Sequence, residues 1–427
     1  MKKRLKVMVS AYACNPYRGS EEGVGWGWVT MLAGHHELWV LTASFHREDI
    51  EQAVAADPER YRKMHFHYIP HPWRYIPKGL WVKIGNSLFK PLIHIAYCLW
   101  LRDAGRLGTA LHNRFGFDLI HQITYVGFRF PGHLWKLDAP FVWGPIGGLV
   151  NVPWRLLPVM GSRGALEYGL RNIVNTVQKK LLPGPKHAFG RAKAVIAATS
   201  GIRSEIMRWY GRESKVICEV GPPRKTVSAI VKRNVEEPFV IAWSGEHLPG
   251  KALPLLLGAM ARIDESMNWR LEILGKGPLT GIWRQQAESY GLNEYCRWHG
   301  WVKRDTAFQI VRNAHVFVIT SMKDLTSTVL VEAFAQGVPV ICPDHCGFAD
   351  VVTSDCGIRI PVKDRHSFER DLATALEHLD ADEIWRRNLA EGALNRIKDF
   401  AWDSKAEQLN AIYRDIVTCN TAKDMGL

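Results

Sequence analysis

The segment Asp324–Val340, which reads DLTSTVLVEAFAQGVPV, decides the fold of this chain. An apolar strand, Ala314–Thr320, precedes it, and a short apolar helix pattern within it ends at Gly337, a residue type that commonly follows a helix. Another apolar strand, Val338–Cys342, comes next. The order of strand, polar loop, helix and strand predicts a parallel α/β sheet, which binds its ligands at the carboxyl ends of the strands.

The polar loop and the helix of this segment carry groups that a nucleotide sugar requires. Asp324 and Glu332 stand eight positions apart, and we expect them to hold the donor sugar and the ribose. The helix N-terminus suits a phosphate because its N–H groups are free and partly positive. Further backbone N–H and hydroxyl donors to a diphosphate come from Leu325, Thr326, Ser327 and Thr328. The structural alternatives are an Asp324 that caps its own loop and a Glu332 that is held by backbone N–H groups.

Length and charge set the broad class of protein. The chain has 427 residues, which is long for a single core and predicts two domains. A net charge of +13 and a pI near 9.4 favour nucleic acid, anionic lipid or phosphorylated ligands as partners. The basic residues are spread along the chain, which argues against nucleic acid. Eight scattered cysteines without a CxxC pair, together with an N-terminus that lacks a signal-peptide pattern, predict a cytoplasmic protein with reduced thiols.

Strand and helix patterns alternate along both halves of the chain. The first half starts with the strand Leu5–Ala11, a glycine-rich loop Gly19–Gly25 and a helix, and the second restarts with the strand Phe239–Ser244. This alternation predicts the α/β class, with two doubly wound Rossmann-like domains that face a central cleft. We expect a helical tail that packs back on the N-terminal domain. The predicted units are an N-terminal domain 1–225, a C-terminal domain 226–400 and the tail 401–427.

Lys251 is the candidate cation for a diphosphate. It ends the loop Gly245–Lys251, between a predicted strand and a predicted helix. A lysine there can neutralise a diphosphate leaving group while the helix N-terminus adds N–H donors, although a solvated surface lysine is the alternative. The loop fits the pattern GxxxxGK, but Ala252 lacks the hydroxyl group that a P-loop gives its magnesium, which argues against an NTPase.

Other candidates lie within or at the ends of predicted strands. His121 could bind a donor-sugar hydroxyl or pass a proton, and a buried core histidine is the alternative. Several glycines and one serine belong to loops where the backbone can approach a ligand closely, or to plain turns. They are Gly19, Ser20 and Gly275 on the nucleotide-sugar side, and Gly147 and Gly148 on the acceptor side.

Residues 74–106 combine a short apolar run with flanking aromatic and basic residues. No segment reaches the roughly 20 apolar residues that span a bilayer. The segment therefore predicts either an interfacial helix on an anionic membrane, with the protein peripheral at the inner membrane face, or a buried helix. No metal-binding set is found, and Asp380 and Asp382 are best explained by a helix cap.

Taken together, these motifs resemble the family 4 retaining glycosyltransferases, which have the GT-B fold. The resemblance covers nearly the full chain and is strongest over residues 239–361. The phosphate-binding loop of the family matches Gly245–Lys251, with Glu246 in place of an arginine and Ala252 in place of a glycine. The family's two glutamates, separated by seven residues, match Asp324 and Glu332.

The resemblance implies a UDP- or GDP-sugar donor, no cofactor, no obligatory metal and transfer with retention of configuration. It implies that Lys251 and the helix N-terminus at 326–328 stabilise the diphosphate, that Glu332 holds the ribose, and that Asp324 and His121 position the donor sugar. The N-terminal domain would bind a glycan or lipid-linked acceptor. The pattern Gly-Ser-Glu-x-Gly-x-Gly-Trp, which starts at Gly19, is similar to a bacterial branch of the family that assembles surface polysaccharides and exopolysaccharides.

Three other functions remain open at this point. A related GT-B hydrolase or epimerase would turn over a nucleotide sugar without an added acceptor. Glu246, at the arginine position, leaves room for a non-catalytic partner subunit. A basic nucleic-acid-binding protein is supported only by the net charge.

Overall fold

The computed structural model describes residues 4–70, 90–223, 226–231 and 237–424, and these form two α/β domains and a tail helix. The N-terminal domain has a parallel sheet in the order β3-β2-β1-β4-β5-β6-β7. Its strands are β1 (Lys6–Ala11), β2 (Glu37–Ala43), β3 (Met64–Ile69), β4 (Leu119–Thr124), β5 (Phe141–Ile146), β6 (Ala194–Ala197) and β7 (Lys215–Val216). Its helices are α1 (Ser20–Ala33), α2 (Arg47–Ala56), α3 (Pro58–Tyr61), α4 (Lys90–Phe115), α5 (Gly161–Leu181), α6 (Pro183–Arg191) and α7 (Ser200–Tyr210).

The C-terminal domain repeats this architecture with a parallel sheet in the order β10-β9-β8-β11-β12-β13. Its strands are β8 (Phe239–Ser244), β9 (Trp269–Leu274), β10 (Cys296–Gly300), β11 (Val316–Val318), β12 (Val340–Pro343) and β13 (Gly357–Ile360). Its helices, followed by the tail helix α15, are α8 (Leu253–Met260), α9 (Thr280–Ser289), α10 (Arg304–Arg312), α11 (Thr328–Ala335), α12 (Phe348–Val351), α13 (Arg365–Ala381), α14 (Glu383–Arg396) and α15 (Trp402–Asp424). The predicted α/β class with two doubly wound domains is confirmed.

Each sheet has a switch point, where the strand order reverses and ligands bind beyond the strand ends. In the N-terminal sheet it lies between β1 and β4, and in the C-terminal sheet between β8 and β11. The loops that follow these four strands therefore form the edges at which a ligand site is expected.

Helix α1 starts earlier than the sequence predicts. The segment Gly19–Gly25 is not a loop, because the helix begins at Ser20 and includes Gly23 and Gly25. A Cβ atom on Gly23 would lie 2.5 Å from the carbonyl oxygen of Arg18, and one on Gly25 would lie 1.9 Å from that of Ala13. These glycines therefore allow the helix to pack directly against the backbone after β1, a role that glycine spacing alone does not distinguish from a loop.

The tail helix α15 lies against the N-terminal domain. Tyr413 is fully buried, and its hydroxyl group lies 2.7 Å from Nδ1 of His121 in β4. Asn410 pairs with His36 at 2.8 Å. The ring of Trp402 is close to both Gly27 and Gly221, where a Cβ atom would lie 2.2 and 2.4 Å from ring atoms. The tail is thus part of the N-terminal core, although it follows the C-terminal domain in the chain.

Helix α4 contains the described part of the segment 74–106. Residues 71–89 lie outside the described residues, and so do most of the aromatic and basic residues that flank the apolar run. From residue 94 onward the helix packs into the core, with Tyr97 and Trp100 almost fully buried. This part of the helix matches the buried-helix alternative. Among the described residues, no helix combines the length and the apolar character needed to cross a membrane.

The hydrogen bond between Tyr413 and His121 provides a test of the tail packing. Tyr413→Phe leaves a buried imidazole nitrogen without its partner, which we expect to lower the free energy of unfolding by about 1–3 kcal/mol. Tyr17→Phe is the matched control, because the Tyr17 side chain is 53% exposed. Urea denaturation of both variants measures the effect, and equal unfolding free energies would contradict the packing described here.

Candidate functional site

The loops after β8 and β11 meet through an ion pair between Lys251 and Asp324. The Nζ atom of Lys251 donates to Oδ2 of Asp324 at 2.6 Å, and the two side chains are only 24% and 19% exposed. The other carboxylate oxygen of Asp324 accepts from the backbone N–H of Leu325 at 3.0 Å. Asp324 therefore caps its own loop, as the structural alternative predicts. It also pairs with Lys251, the candidate diphosphate cation, and so lies beside the predicted donor site.

Glu332 in α11 is paired with Arg304, the first residue of α10. Nη2 of Arg304 donates to Oε1 of Glu332 at 2.6 Å. Burial raises the pKa of Glu332, while the guanidinium group opposes that rise. The partner is neither of those considered from the sequence. Because Arg304 begins the helix after β10, at the same edge of the sheet, its place in the strand–helix pattern was the signal that could have identified it.

A first cavity of about 270 Å³, which we call the Glu332 cavity, brings predicted residues of both domains together. Gly19 and Ser20 line it from the start of α1, and Thr328 and Glu332 line it from α11. Arg304 also borders it. The two halves of the predicted nucleotide-sugar site thus share one cavity between the domains.

A second cavity of about 580 Å³, which we call the Asp324 cavity, also lies between the two domains. Asp324 and Leu325 line it from the C-terminal domain and Gly148 lines it from the N-terminal domain. Beside it, a Cβ atom on Gly147 would lie 2.8 Å from a methyl carbon of Leu325. Gly147 therefore permits the close approach of the two domains, and the predicted acceptor-side glycines lie opposite the predicted sugar-side residues.

Gly245 and Gly275 shape the loops next to Lys251. Gly275 has a φ of +96°, and a Cβ atom there would lie 2.1 Å from the carbonyl oxygen of Gly245. The two glycines let the ends of β8 and β9 touch. Neither of them lines the two cavities described above.

Backbone strain is concentrated at the cleft. Among the described residues, four that are not glycine have a positive φ: Ser20, Ala252, Ser327 and Cys346. Ser20 lines the Glu332 cavity, Cys346 lines the Asp324 cavity, and the other two directly precede helices α8 and α11. Such conformations persist only where the surrounding structure enforces them, and they are common at ligand sites. Ala252, which the resemblance places at a glycine position of the family, keeps a backbone conformation that glycine prefers.

His121 does not reach the cleft. Its side chain is fully buried, with Nδ1 near the Tyr413 hydroxyl group and Nε2 near the carbonyl oxygen of Gly144, each at 2.7 Å. Burial lowers its pKa to about 4, so the ring is neutral near neutral pH. The structure therefore matches the core-histidine alternative, because both nitrogens are engaged within the protein and neither is open to a donor sugar.

Thr326 is also turned away from the cleft. Its N–H and hydroxyl groups donate to the carboxylate of Glu219 at 3.0 and 2.8 Å. The carbonyl oxygen of Glu219 accepts from Nε1 of Trp28 in α1 at 2.9 Å. Thr326 therefore orients the loop before α11 and does not offer its donors to a ligand. Glu219 follows β7, the last strand of the N-terminal domain, where no local sequence pattern indicates such a role.

Glu21 is a further acidic group of the Asp324 cavity that the sequence analysis did not single out. Its carboxylate accepts from the N–H of Val126 at 2.7 Å. Burial raises its pKa to about 7, and Glu219 adds to the rise. Its place in the first turn of α1, inside the Gly-Ser-Glu-Glu-Gly motif, was the available signal. Near neutral pH this group exchanges a proton, which makes the charge of the cavity depend on pH.

Metal ligation is not a feature of the described part of the chain. Among its residues, no group of three or more His, Cys, Asp or Glu side chains is arranged to hold a metal ion. Asp382, which precedes α14, accepts from the N–H of Trp385 at 2.8 Å and caps this helix, as expected.

Comparison with known proteins finds a family match over most of the C-terminal domain. Residues 226–392 match the family model described as "Glycosyl transferases group 1". A D-inositol 3-phosphate glycosyltransferase of Corynebacterium glutamicum is 27% identical over 186 residues, which are 42% of this chain and 44% of that protein. The putative colanic acid biosynthesis glycosyltransferase WcaL of Escherichia coli is 26% identical over 200 residues, which are 41% of this chain and 47% of that protein. The chain thus spans about half the length of the curated relatives it matches.

The solved structures share the architecture of the whole chain. The structure of Anabaena HepE in complex with UDP is similar over 96% of this chain and 100% of that chain, with a TM-score of 0.61 and 15% sequence identity. At that identity the likeness shows the fold alone. The two Rossmann-like domains with their central cleft form a GT-B fold.

The raised pKa of Glu21 predicts a pH-dependent contribution to stability. The folded protein keeps a proton on this carboxyl group that the unfolded chain releases, so stability is lost as the pH rises from the ordinary pKa of 4.5 to about 7. Glu21→Gln removes this loss. We expect the melting temperature of the variant to rise relative to the native protein between about pH 5 and about pH 8.

Thermal unfolding at a series of pH values measures this difference. The exposed Glu48 of α2 provides the control variant Glu48→Gln, whose melting temperature should follow that of the native protein. A constant difference between Glu21→Gln and the native protein across the pH range would contradict the burial of the charge.

Proposed function

We propose that this protein is a retaining glycosyltransferase that moves a sugar from a nucleotide-diphosphate sugar to a glycan acceptor in polysaccharide or lipopolysaccharide biosynthesis. The ion pair between Lys251 and Asp324 carries the proposal, because the candidate diphosphate cation and the candidate sugar-binding carboxylate lie side by side at the switch point of the C-terminal sheet. The group 1 match includes both residues and Glu332. The UDP bound in HepE and the name of WcaL support a UDP-type donor and a polysaccharide product.

The geometry suggests how the chain would act on such a donor. The diphosphate takes the place of Asp324 as the partner of Lys251, and the N-terminus of α11 adds backbone N–H donors. Asp324 is then free to accept hydrogen bonds from the donor sugar. Glu332, in the neighbouring cavity, accepts hydrogen bonds from the ribose, and this requires Arg304 to share or release its carboxylate. Glu246 is exposed and does not contribute a phosphate ligand.

Retention follows from same-face attack. The acceptor hydroxyl group approaches from the Asp324 cavity, on the side of the sugar from which the diphosphate departs. The leaving phosphate oxygen takes the proton of the attacking hydroxyl group, and Lys251 stabilises the negative charge that develops on the diphosphate. Closure of the cleft between the two domains excludes the water that would otherwise hydrolyse the donor.

Release of nucleoside diphosphate tests this function. The purified chain is incubated with UDP-, GDP- and ADP-sugars, with and without a lipid-phosphate acceptor extract. We expect acceptor-stimulated release from a UDP-sugar, a fall of about a hundredfold in Lys251→Ala, and an increase of about tenfold in donor KM in Glu332→Ala. The exposed residues Lys398 and Glu288 provide the controls Lys398→Ala and Glu288→Ala, which should keep full activity.

Each competing function gives a different result in this assay. Release that does not depend on an acceptor would indicate a hydrolase or epimerase. No release and no nucleotide binding would indicate a non-catalytic partner subunit. A preference for GDP-sugars would contradict only the proposed UDP-type donor and would leave the transferase function standing.

We also propose that the N-terminal domain rests on an anionic membrane through the outer face of α5. Six apolar side chains of this helix are between 48% and 68% exposed, and with 3.6 residues per turn they share an arc of about 100°. They are Leu166, Leu170, Ile173, Val174, Val177 and Leu181. Such a patch on a helix marks an interaction surface.

The charges around this face favour anionic lipid as its partner. Exposed basic residues lie on and beside the helix, namely Arg155, Arg163, Arg171, Lys180 and Lys186. Glu167 is the acidic residue of the helix, and it is paired with Arg171 at 2.8 Å. Exposed Trp154, which precedes the helix, suits the interface between water and lipid. The predicted contact with the membrane can therefore be assigned to residues that the structure describes, whereas residues 74–89 of the segment 74–106 lie outside the described residues.

Cosedimentation with vesicles tests the membrane contact. We expect the full chain to bind vesicles that contain phosphatidylglycerol and to lose most of that binding in the variant Leu170→Glu/Val177→Glu. Ile384→Glu is the matched control, because Ile384 is 77% exposed on α14 of the other domain. Equal binding by all three proteins would overturn the proposal. A shift from dimer to monomer without a change in vesicle binding would assign the face to a second copy of the chain instead.

A further inference from the structure

Two basic side chains enter the Asp324 cavity from opposite domains. Arg129 follows β4 in the N-terminal domain, and Lys323 follows β11 in the C-terminal domain. They approach the same loop: an added Cβ atom on Gly148 would lie 3.3 Å from Nη1 of Arg129, and Nζ of Lys323 donates to the carbonyl oxygen of Val150 at 2.7 Å. The two switch-point strands next to β1 and β8 therefore each deliver a cation to one cavity.

Neither cation has an acidic partner among the described residues. The guanidinium group of Arg129 donates to the side-chain oxygens of Gln178, at 2.5 Å, and Asn175. Both of these belong to α5 and are neutral. Lys323 has a backbone carbonyl group as its hydrogen-bond partner. Burial lowers the pKa of both groups, and Arg129 itself adds to the effect on Lys323. The two positive charges are thus held in place by neutral partners and remain uncompensated.

The acidic groups of the same cavity are already engaged. Asp324 is paired with Lys251 in the unliganded protein, and in the proposed donor complex the hydroxyl groups of the donor sugar replace Lys251 as its partners. Glu21 accepts from the N–H of Val126, and its raised pKa leaves it partly protonated near neutral pH. Lys179, a third cation near the loop, donates to the carbonyl oxygen of Leu149 and is neutralised by Glu205 at 2.5 Å. The net charge that a ligand meets in this cavity therefore comes from Arg129 and Lys323.

Partly buried cations without counter-ions are unfavourable unless a ligand supplies the missing charge. We propose that the Asp324 cavity binds an acceptor that carries a phosphate or diphosphate group, and that Arg129 and Lys323 hold this group from the two sides of the cleft. This inference rests on the proposed transferase function and names the chemical class of its acceptor.

The remaining walls of the cavity suit the rest of such an acceptor. Tyr97, Tyr125 and Phe130 line it and offer ring faces and edges to an apolar or sugar surface. The subsite is distinct from the place proposed for the donor diphosphate, which is beside Lys251 and the N-terminus of α11. Donor and acceptor anions are therefore held by different cations, and this keeps two negatively charged substrates apart in one cleft.

Calorimetric titration of the full chain with inorganic pyrophosphate tests the subsite. UDP is present at saturating concentration, so that the donor diphosphate site is filled. We expect pyrophosphate to bind under these conditions, and to bind about tenfold more weakly in each of Arg129→Gln and Lys323→Gln, as expected for one lost charge-assisted contact. Lys323→Arg keeps the charge and should retain most of the affinity. Arg387→Gln, at an exposed ion pair of α14, is the control and should bind as the native chain does.

UDP affinity, measured in the same variants, reports both folding and the donor site, and should not change. Pyrophosphate that fails to bind beside UDP, or that binds Arg129→Gln and Lys323→Gln as tightly as the native chain, would overturn the proposal. A chain that does not bind UDP would instead contradict the proposed function. Farnesyl diphosphate and glucose 1-phosphate distinguish the source of the anion: tighter binding of the former assigns it to a lipid-linked acceptor, and tighter binding of the latter to a phosphorylated glycan.

Discussion

The arrangement of the cleft depends on the hydrogen bonds that the buried carboxylate of Glu219 accepts. This carboxylate satisfies both the backbone and the side-chain donor of Thr326, which stands between Asp324 and the start of α11. The backbone carbonyl oxygen of Glu219 accepts from Nε1 of Trp28 in α1. The backbone carbonyl oxygen of the preceding residue, Cys218, accepts from Nζ of Lys405 in the tail helix. Two neighbouring residues that follow β7, Cys218 and Glu219, thus link the N-terminal domain, the tail and the ligand loop. The loop cannot shift without leaving a buried carboxylate without its donors, which is strongly unfavourable.

Much of this architecture could be predicted from the sequence, because the relevant signals are local. Apolar runs separated by helix patterns identified both sheets, and Gly337, with a φ of +69°, ends α11 as expected. Lys251 and Asp324 could be placed near each other because parallel strands bring their carboxyl ends to one edge. The same rule places Gly19, after β1, and Glu332, in the helix after β11, at the ligand-binding edges of their own sheets, and these two edges share a cavity.

The failures have a common physical origin, since they concern side-chain direction and contacts distant in sequence. His121 lies in a predicted strand, but nothing in that strand shows that one ring nitrogen meets Tyr413 of the tail. Thr326 lies in a ligand-type loop, but its N–H and hydroxyl groups donate to Glu219, which follows β7 in the N-terminal domain. Gly23 and Gly25 were assigned to a loop because glycine spacing does not reveal whether a neighbouring backbone or a ligand requires the missing side chain. Arg304 was overlooked because its partner is contributed by another helix.

The return of the tail helix has a consequence for how the protein is made. Domains of a growing chain usually fold in the order in which they leave the ribosome. Here Tyr413 covers the buried His121 of the first domain, and Trp402 covers the surface around Gly27. Both covering residues are translated only after the entire second domain. Until then α1 and β4 expose the face that Trp402 and Tyr413 later cover. The nascent N-terminal domain must therefore persist in an incomplete form until the tail helix has been made.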